Sequence, residues 1–142
     1  MEVCFTGTRE GMTDEQLKQV GELLAIAKPD RVRHGCAVGA DRQFHALAEP
    51  GTRDLYPSNP EQSRWALANV VKGDNVCAEL PPLVRNKEMV DQSTLIIATP
   101  RSAVEELRSG TWHTIRYARR EQKRRTHIKI VVLAPLAQRS DT

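Results

Sequence analysis

The sequence predicts an α/β architecture: a doubly wound sheet of about five mostly parallel strands with helices on both faces. Two observations carry this. Short apolar runs of strand character alternate with segments of helical period, and the links between them are short. Three of the strands also run into a loop of small residues and then into a helix. These passages are Val3-Cys4-Phe5-Thr6-Gly7-Thr8-Arg9, Val32-Arg33-His34-Gly35-Cys36-Ala37-Val38-Gly39-Ala40-Asp41, and Leu95-Ile96-Ile97-Ala98-Thr99-Pro100 leading on to Ser109-Gly110-Thr111. In a parallel sheet the strand ends that feed helices share one edge, so the three loops converge there. The expected class is therefore Rossmann-like.

Each element has its own signal. Residues 2–6 turn apolar and read as the first strand. Thr13-Asp14-Glu15-Gln16 has the form of a capping box, and Leu17, Val20, Leu23, Leu24 and Ala27 follow at helical spacing. Pro29-Asp30 stops that helix, and residues 31–34 form a second strand. Asp41 to Leu47 reads as a helix with Phe44, Leu47 and Ala48 on one face, closed by Pro50-Gly51. Asp54 to Pro57 is a third strand, and Gln62 to Val71 a short helix. Asn75 to Glu79 fits either a short strand or an extended loop. Pro81-Pro82 opens a helix to Asp91 with Leu83, Val84 and Met89 inward, since a proline at a helix start loses no hydrogen bond. Thr94 to Ala98 is a buried strand, Gly110 to Gln122 a helix and Ile128 to Leu133 the last strand. The expected organisation is one domain over residues 1–135 and a polar tail over 136–142.

Bulk properties narrow the function classes. A chain of 142 residues is long enough to bury a core without disulfides or metals. The three cysteines, Cys4, Cys36 and Cys77, are odd in number and lack CxxC spacing, so no disulfide framework, zinc site or other metal site is expected. No cofactor is expected either. No apolar run approaches the roughly 20 residues that cross a bilayer, and Met1 leads almost at once into a strand without a leader pattern. A cytoplasmic location and no membrane partner are the expectations. The net charge of +3 suits an anionic ligand but is too small to argue for nucleic acid.

The middle of the chain adds a second signal. Arg85-Asn86-Lys87-Glu88-Met89-Val90 leads straight into the strand Leu95–Ala98, and Pro100 and Ser109-Gly110-Thr111 follow. This order resembles the SLOG superfamily, named for the Smf and Lonely Guy proteins. That superfamily includes cytokinin-activating phosphoribohydrolases, DNA-processing protein A and nucleotide-sensing domains of bacterial defence systems. Thr6-Gly7-Thr8-Arg9 looks like its first-strand loop, and His34-Gly35-Cys36-Ala37-Val38-Gly39-Ala40-Asp41 like its second. The combination is closest to a small single-domain branch found in bacteria and phages, and it covers residues 3–133.

The resemblance implies a nucleotide-type ligand and a homodimer or higher homo-oligomer. Gly7, Gly35, Gly39 and Gly110 would let backbone amides face phosphate oxygens. Thr8 and Thr111 add hydroxyls, and Arg9 and Arg85 can each grip a phosphate bidentately. Asp41 can cap its helix or accept from a ribose hydroxyl, and Asn86 can read a base or ribose edge. Ala37, Ala40 and Met89 complete the expected lining. Trp112 can stack on a base or fill the core, and His113 can touch a phosphate.

One departure bears on chemistry. In the phosphoribohydrolase branch the third loop reads Pro-Gly-Gly-x-Gly-Thr-x-x-Glu. Here Gly110-Thr111 match the Gly-Thr, and the Glu position is Thr114. N-glycoside cleavage needs a group that activates water or stabilises an oxocarbenium-like centre, usually a carboxylate. No catalytic residue is assigned; Glu88, Glu105 and Glu106 are the candidate substitutes in sequence. Three readings follow. The first is a binder of a nucleotide-derived molecule, such as a cyclic-nucleotide or ADP-ribose-type signal, for sensing or sequestration in defence or anti-defence signalling. The second is a nucleotide N-glycoside hydrolase. The third is a DNA-binding module using the basic run Arg116, Arg119, Arg120, Lys123, Arg124 and Arg125, which is disfavoured because no aromatic platform accompanies the run.

Overall fold

A computed structural model describes residues 1–136; residues 137–142 of the expected polar tail lie outside the described residues. The sheet is six-stranded and wholly parallel, in the order β4-β3-β2-β1-β5-β6. The strands are β1 (Glu2–Gly7), β2 (Arg31–His34), β3 (Arg53–Leu55), β4 (Asn75–Val76), β5 (Leu95–Thr99) and β6 (Lys129–Val132). The helices are α1 (Asp14–Ala27), α2 (Ala40–Leu47), α3 (Pro60–Leu67), α4 (Pro82–Asp91) and α5 (Gly110–Arg124). The sixth strand beyond the expected five is β4, two residues paired in register with Asp54 and Leu55.

Alternation along the central strands builds two cores. Val3, Phe5, Val32, Leu95 and Ile97 point to one face and pack with Val20 of α1 and Phe44 of α2. Cys4 and Ile96 point to the other and pack with Met89 and Val90 of α4 and Ala118 of α5. The sheet is thus wound on both faces. Phe5 and Phe44 stack at 4.4 Å between ring centroids and fix α2 on β1.

The capping box at α1 forms as the sequence requires. The Gln16 amide donates to Thr13 Oγ1 at 3.1 Å, and the Thr13 amide donates to Gln16 Oε1 at 2.9 Å. Gln16 Nε2 also donates to the carbonyls of Pro100 and Leu133. The cap therefore ties α1 to the chain leaving β5 and β6.

Three expectations need correction. Leu83 and Val84 are 47% and 51% exposed rather than inward; the buried side of α4 is Arg85, Asn86, Met89 and Val90. Leu47 is likewise 41% exposed, so α2 packs through Phe44 and Ala48. The third helix starts at Pro60, earlier than expected, because Asn59 Oδ1 caps the amides of Glu61 and Gln62, and it ends at Leu67 rather than Val71. No helix among the described residues is long and apolar enough to cross a membrane.

Candidate functional site

The chain reverses direction across the sheet between β1 and β5: β2, β3 and β4 lie beyond β1, and β6 lies beyond β5. A cleft of about 730 Å³ opens at the C-terminal ends of the strands there. Such reversals leave a crevice between diverging helices. Of the expected site residues, Gly7, Thr8, Arg9, Gly35, Ala37, Asp41, Arg85, Asn86, Met89, Gly110 and Thr111 line it.

The three loops are not equivalent. After β1, the Thr8 amide donates to the Thr99 carbonyl, and Thr8 Oγ1 accepts from the Glu10 amide. After β2, the Cys36 amide goes to His34 Nδ1, the Ala37 amide to Asp41 Oδ2 and the Ala40 amide to the Thr8 carbonyl. One of these bonds, Ala40 to Thr8, joins the two loops, and the amides of Arg9, Val38 and Gly39 make no hydrogen bond among the described residues. The third loop differs in that its free amides open a helix. Ser109 Oγ caps the Trp112 amide at 3.2 Å, while the amides of Gly110 and Thr111 make no hydrogen bond among the described residues. They open the longest helix of the fold, where the N-terminal partial charge is positive.

Arg85 forms the floor. It is 8% exposed, and Nη1 donates to the carbonyls of Gly35 at 2.6 Å and Tyr56 at 3.1 Å. Its Nε donates to Asn86 Oδ1 at 2.8 Å. Nη2 and the Asn86 Nδ2 group have no partner among the described residues, so both donors remain for the cleft.

Asp41, from the first turn of α2, is the buried carboxylate of the cleft at 6% exposure. Burial pushes its carboxyl up to about 6, against the pull of the Ala37 amide, the Arg85 guanidinium, the Gly35 amide and Arg9. The thiol of Cys36 is pushed up to about 12, chiefly by burial, and is inert near neutrality.

The glycines serve the protein's own packing first. A Cβ at Gly7 would sit 2.4 Å from Thr99 Oγ1 and 2.5 Å from Ala40 Cβ. At Gly35 it would meet the Arg85 guanidinium at 2.7 Å. Gly39 has φ +77°, and a Cβ would lie 2.2 Å from the Arg9 carbonyl oxygen. Gly110 differs: a Cβ there meets nothing within 4 Å.

Four expected residues stand outside the lining. Gly39 and Ala40 lie beneath it, against Arg9 and Gly7. Trp112 packs in the core with Ala98, Ile115 and Val132. His113 is half-buried on α5, with burial first and then Lys87, Arg116 and Arg120 holding its pKa down. Thr114 is fully buried and donates to the Gly110 carbonyl, so position 114 presents nothing to the cleft. Trp65 stacks on His34 at 5.8 Å, away from the cleft lining.

The stretch between β5 and α5 adds a rim that the glycine patterns did not reveal: Arg101, Glu106, Leu107, Arg108 and Ser109. Arg101 pairs with Glu106 at 2.6 Å and with Glu10 across the mouth at 3.1 Å. Arg116 pairs with Glu105 at 2.8 Å and holds the same stretch from α5. A sequence signal for this rim exists: a charged link directly after the strand at which the sheet reverses. The basic run on α5 is partly neutralised, since Arg116 pairs with Glu105 and both Arg124 and Arg125 with Glu121.

No protein-family model matches the chain, and no curated protein matches it. Among solved structures, DNA processing protein A from Streptococcus pneumoniae is similar, with a TM-score of 0.63 at 18% identity. The likeness covers 99% of this chain and 52% of that one, so the chain spans about half of that protein's length. The fold implied by the SLOG resemblance is thus the fold found: the chain has the Rossmann-like architecture that DNA processing protein A contains.

Proposed function

We propose that the protein binds a nucleotide-derived small molecule in the cleft at the C-terminal edge of the sheet, for sensing or sequestration. One observation carries the reading. The unpaired amides of Gly110 and Thr111 and the free Nη2 of Arg85 line the same cleft, which also holds a buried carboxylate. Helix-start amides and a guanidinium are donors suited to phosphate oxygens. A carboxylate and an amide are suited to a sugar or base edge. The cleft volume of about 730 Å³ falls within the ordinary range for small-molecule sites.

Hydrolysis of an N-glycosidic bond is a second reading with its own support, the Asp41 carboxylate that titrates near neutrality. The name of the DNA-processing neighbour raises a third, DNA binding. The exposed Leu83 and Val84 on α4 also suit a self-association surface, consistent with a homodimer.

One experiment separates these. Purified protein is incubated with nucleoside mono- and diphosphates, cyclic nucleotides and ADP-ribose, and the bound and free fractions are read by mass spectrometry. Intact ligand recovered with the protein supports binding. Free base released into solution supports hydrolysis. No nucleotide bound, with salt-sensitive retention of DNA, overturns the reading.

A further inference from the structure

The cleft carries different hydrogen-bonding groups at its two ends. At one end stand the free amides of Gly110 and Thr111 at the start of α5. At the other stands Asp41 at the start of α2. The strands feeding these helices, β5 and β2, are separated by β1, and the helices cover opposite faces of the sheet. Two strand spacings amount to roughly 10 Å. A molecule whose anionic group sits at the α5 end has Asp41 within reach of its remaining part along the same cleft.

Asp41 is an incompletely satisfied acceptor. The Ala37 amide donates to its Oδ2 at 3.1 Å and the Gly35 amide also favours its charge, but no side-chain donor or ion pair reaches it among the described residues. Arg85 lies close enough to favour its charge, but directs Nη1 and Nε at Gly35, Tyr56 and Asn86. A carboxylate takes hydrogen-bond donors and repels phosphate. Asp41 Oδ1 has no hydrogen bond among the described residues, so a ligand that supplies hydroxyl donors there is preferred over one that does not.

We propose that Asp41 accepts the hydroxyls of the ligand's sugar, so that the site takes ribonucleotides and discriminates against their deoxy counterparts. The inference rests on the nucleotide reading above and names the sugar that the same site selects.

The discrimination depends on charge. The groups facing Asp41 are Arg85 from α4, Arg9 from the loop after β1, Cys4 of β1 and Cys36 of the loop after β2. The two thiols are pushed up to about 12 and stay neutral, so Asp41 is the member of the group that titrates near pH 6. The ionised carboxylate accepts from two hydroxyls at once, and the protonated form gives up part of that capacity.

The test is calorimetry with the four ribonucleoside 5′-monophosphates and their 2′-deoxy and 3′-deoxy analogues, on wild type and Asp41→Asn. Wild type is expected to bind its preferred ribonucleotide at least about tenfold tighter than either deoxy form. Asp41→Asn is expected to reduce that ratio to within about threefold, and the wild-type ratio should shrink between pH 8 and pH 5. The pH series stands alone if the variant fails to fold. Equal wild-type binding of ribo and deoxy forms overturns the inference and leaves the nucleotide reading intact, as does an unchanged ratio in Asp41→Asn. Failure of every nucleotide to bind overturns both.

Discussion

The Arg85 guanidinium donates to the Gly35 carbonyl at 2.6 Å, which joins the helix before β5 to the loop after β2 across the floor of the cleft. The bond explains why a charged residue occupies the buried side of α4. It satisfies a carbonyl in a tight loop and leaves Nη2 for a ligand. The structural role and the proposed binding role therefore fall on one side chain.

Arg85→Ala removes both. Two buried carbonyls lose their donor, so the thermal midpoint falls by the equivalent of about 2–3 kcal/mol, and nucleotide affinity drops by at least about tenfold. Arg85→Lys keeps a charge but not the planar fork. It is expected to recover part of the stability and little of the affinity. Unchanged affinity in both variants removes Arg85 from the site.

The glycines separate by cause. Gly39→Ala drives a Cβ into the Arg9 carbonyl at positive φ and is expected to cost about 2–4 kcal/mol in chemical denaturation. Gly110→Ala meets open space and should change stability by less than about 0.5 kcal/mol. Its effect is expected on ligand affinity, as a several-fold loss. Equal stability losses at both positions contradict this assignment.

That contrast marks how far the sequence is legible. The strand–loop–helix passages announce the fold, because strand and helix periods are local and the links are short. They also bring the three loops to one edge of the sheet, where the cleft opens. They do not tell what occupies the space beside each glycine. At positions 7, 35 and 39 the occupant is the protein itself: Thr99 and Ala40, Arg85, and Arg9. These partners are distant in sequence, 50 positions away for Gly35 and Arg85. On α4, apolarity favours Leu83 and Val84 as inward residues, yet the cleft draws Arg85 and Asn86 to the buried side instead. A helix beside a polar site buries polar residues, and a hydrophobic pattern reads that inversely.

Asp41 predicts an unusual pH response. Its folded pKa is raised from 3.8 to about 6, so folding disfavours the ionised form. The penalty is absent well below pH 4, where the carboxyl is protonated in both states. It grows as pH rises and is complete above about pH 6. Asp41→Asn should therefore raise the thermal midpoint at pH 7, by the equivalent of about 1–3 kcal/mol, and change it little near pH 3.5. A midpoint lowered at pH 7 means the carboxylate is better satisfied than its bonds indicate.

His34 works in the opposite direction. It is fully buried, and burial, followed by His45 and Arg53, pulls its pKa down to about 3. The neutral form is the folded one, so its contribution is intact above about pH 6.5 and is lost as pH falls toward 3. His34→Gln should flatten the acid side of the stability profile. A profile of unchanged shape contradicts the buried neutral imidazole.

Trp112 separates a core role from a stacking one. It packs with Ala98, Ile115 and Val132 under α5, so Trp112→Phe should lower stability modestly, by about 1–2 kcal/mol, and leave nucleotide affinity within about twofold. A large affinity loss with intact stability would return Trp112 to the site.

The start of α5 is proposed to receive the ligand's anionic group. The most direct measurement is an amide chemical-shift titration of the isotope-labelled protein with ribonucleoside 5′-monophosphates. The largest shifts are expected at the amides of Gly110 and Thr111, with Arg85 Nε–H moving in parallel, and little change at the solvent-facing end of α5 around Arg120 and Arg124. Shifts confined to that basic end, or an unresponsive Gly110–Thr111 pair in the presence of bound nucleotide, would contradict it.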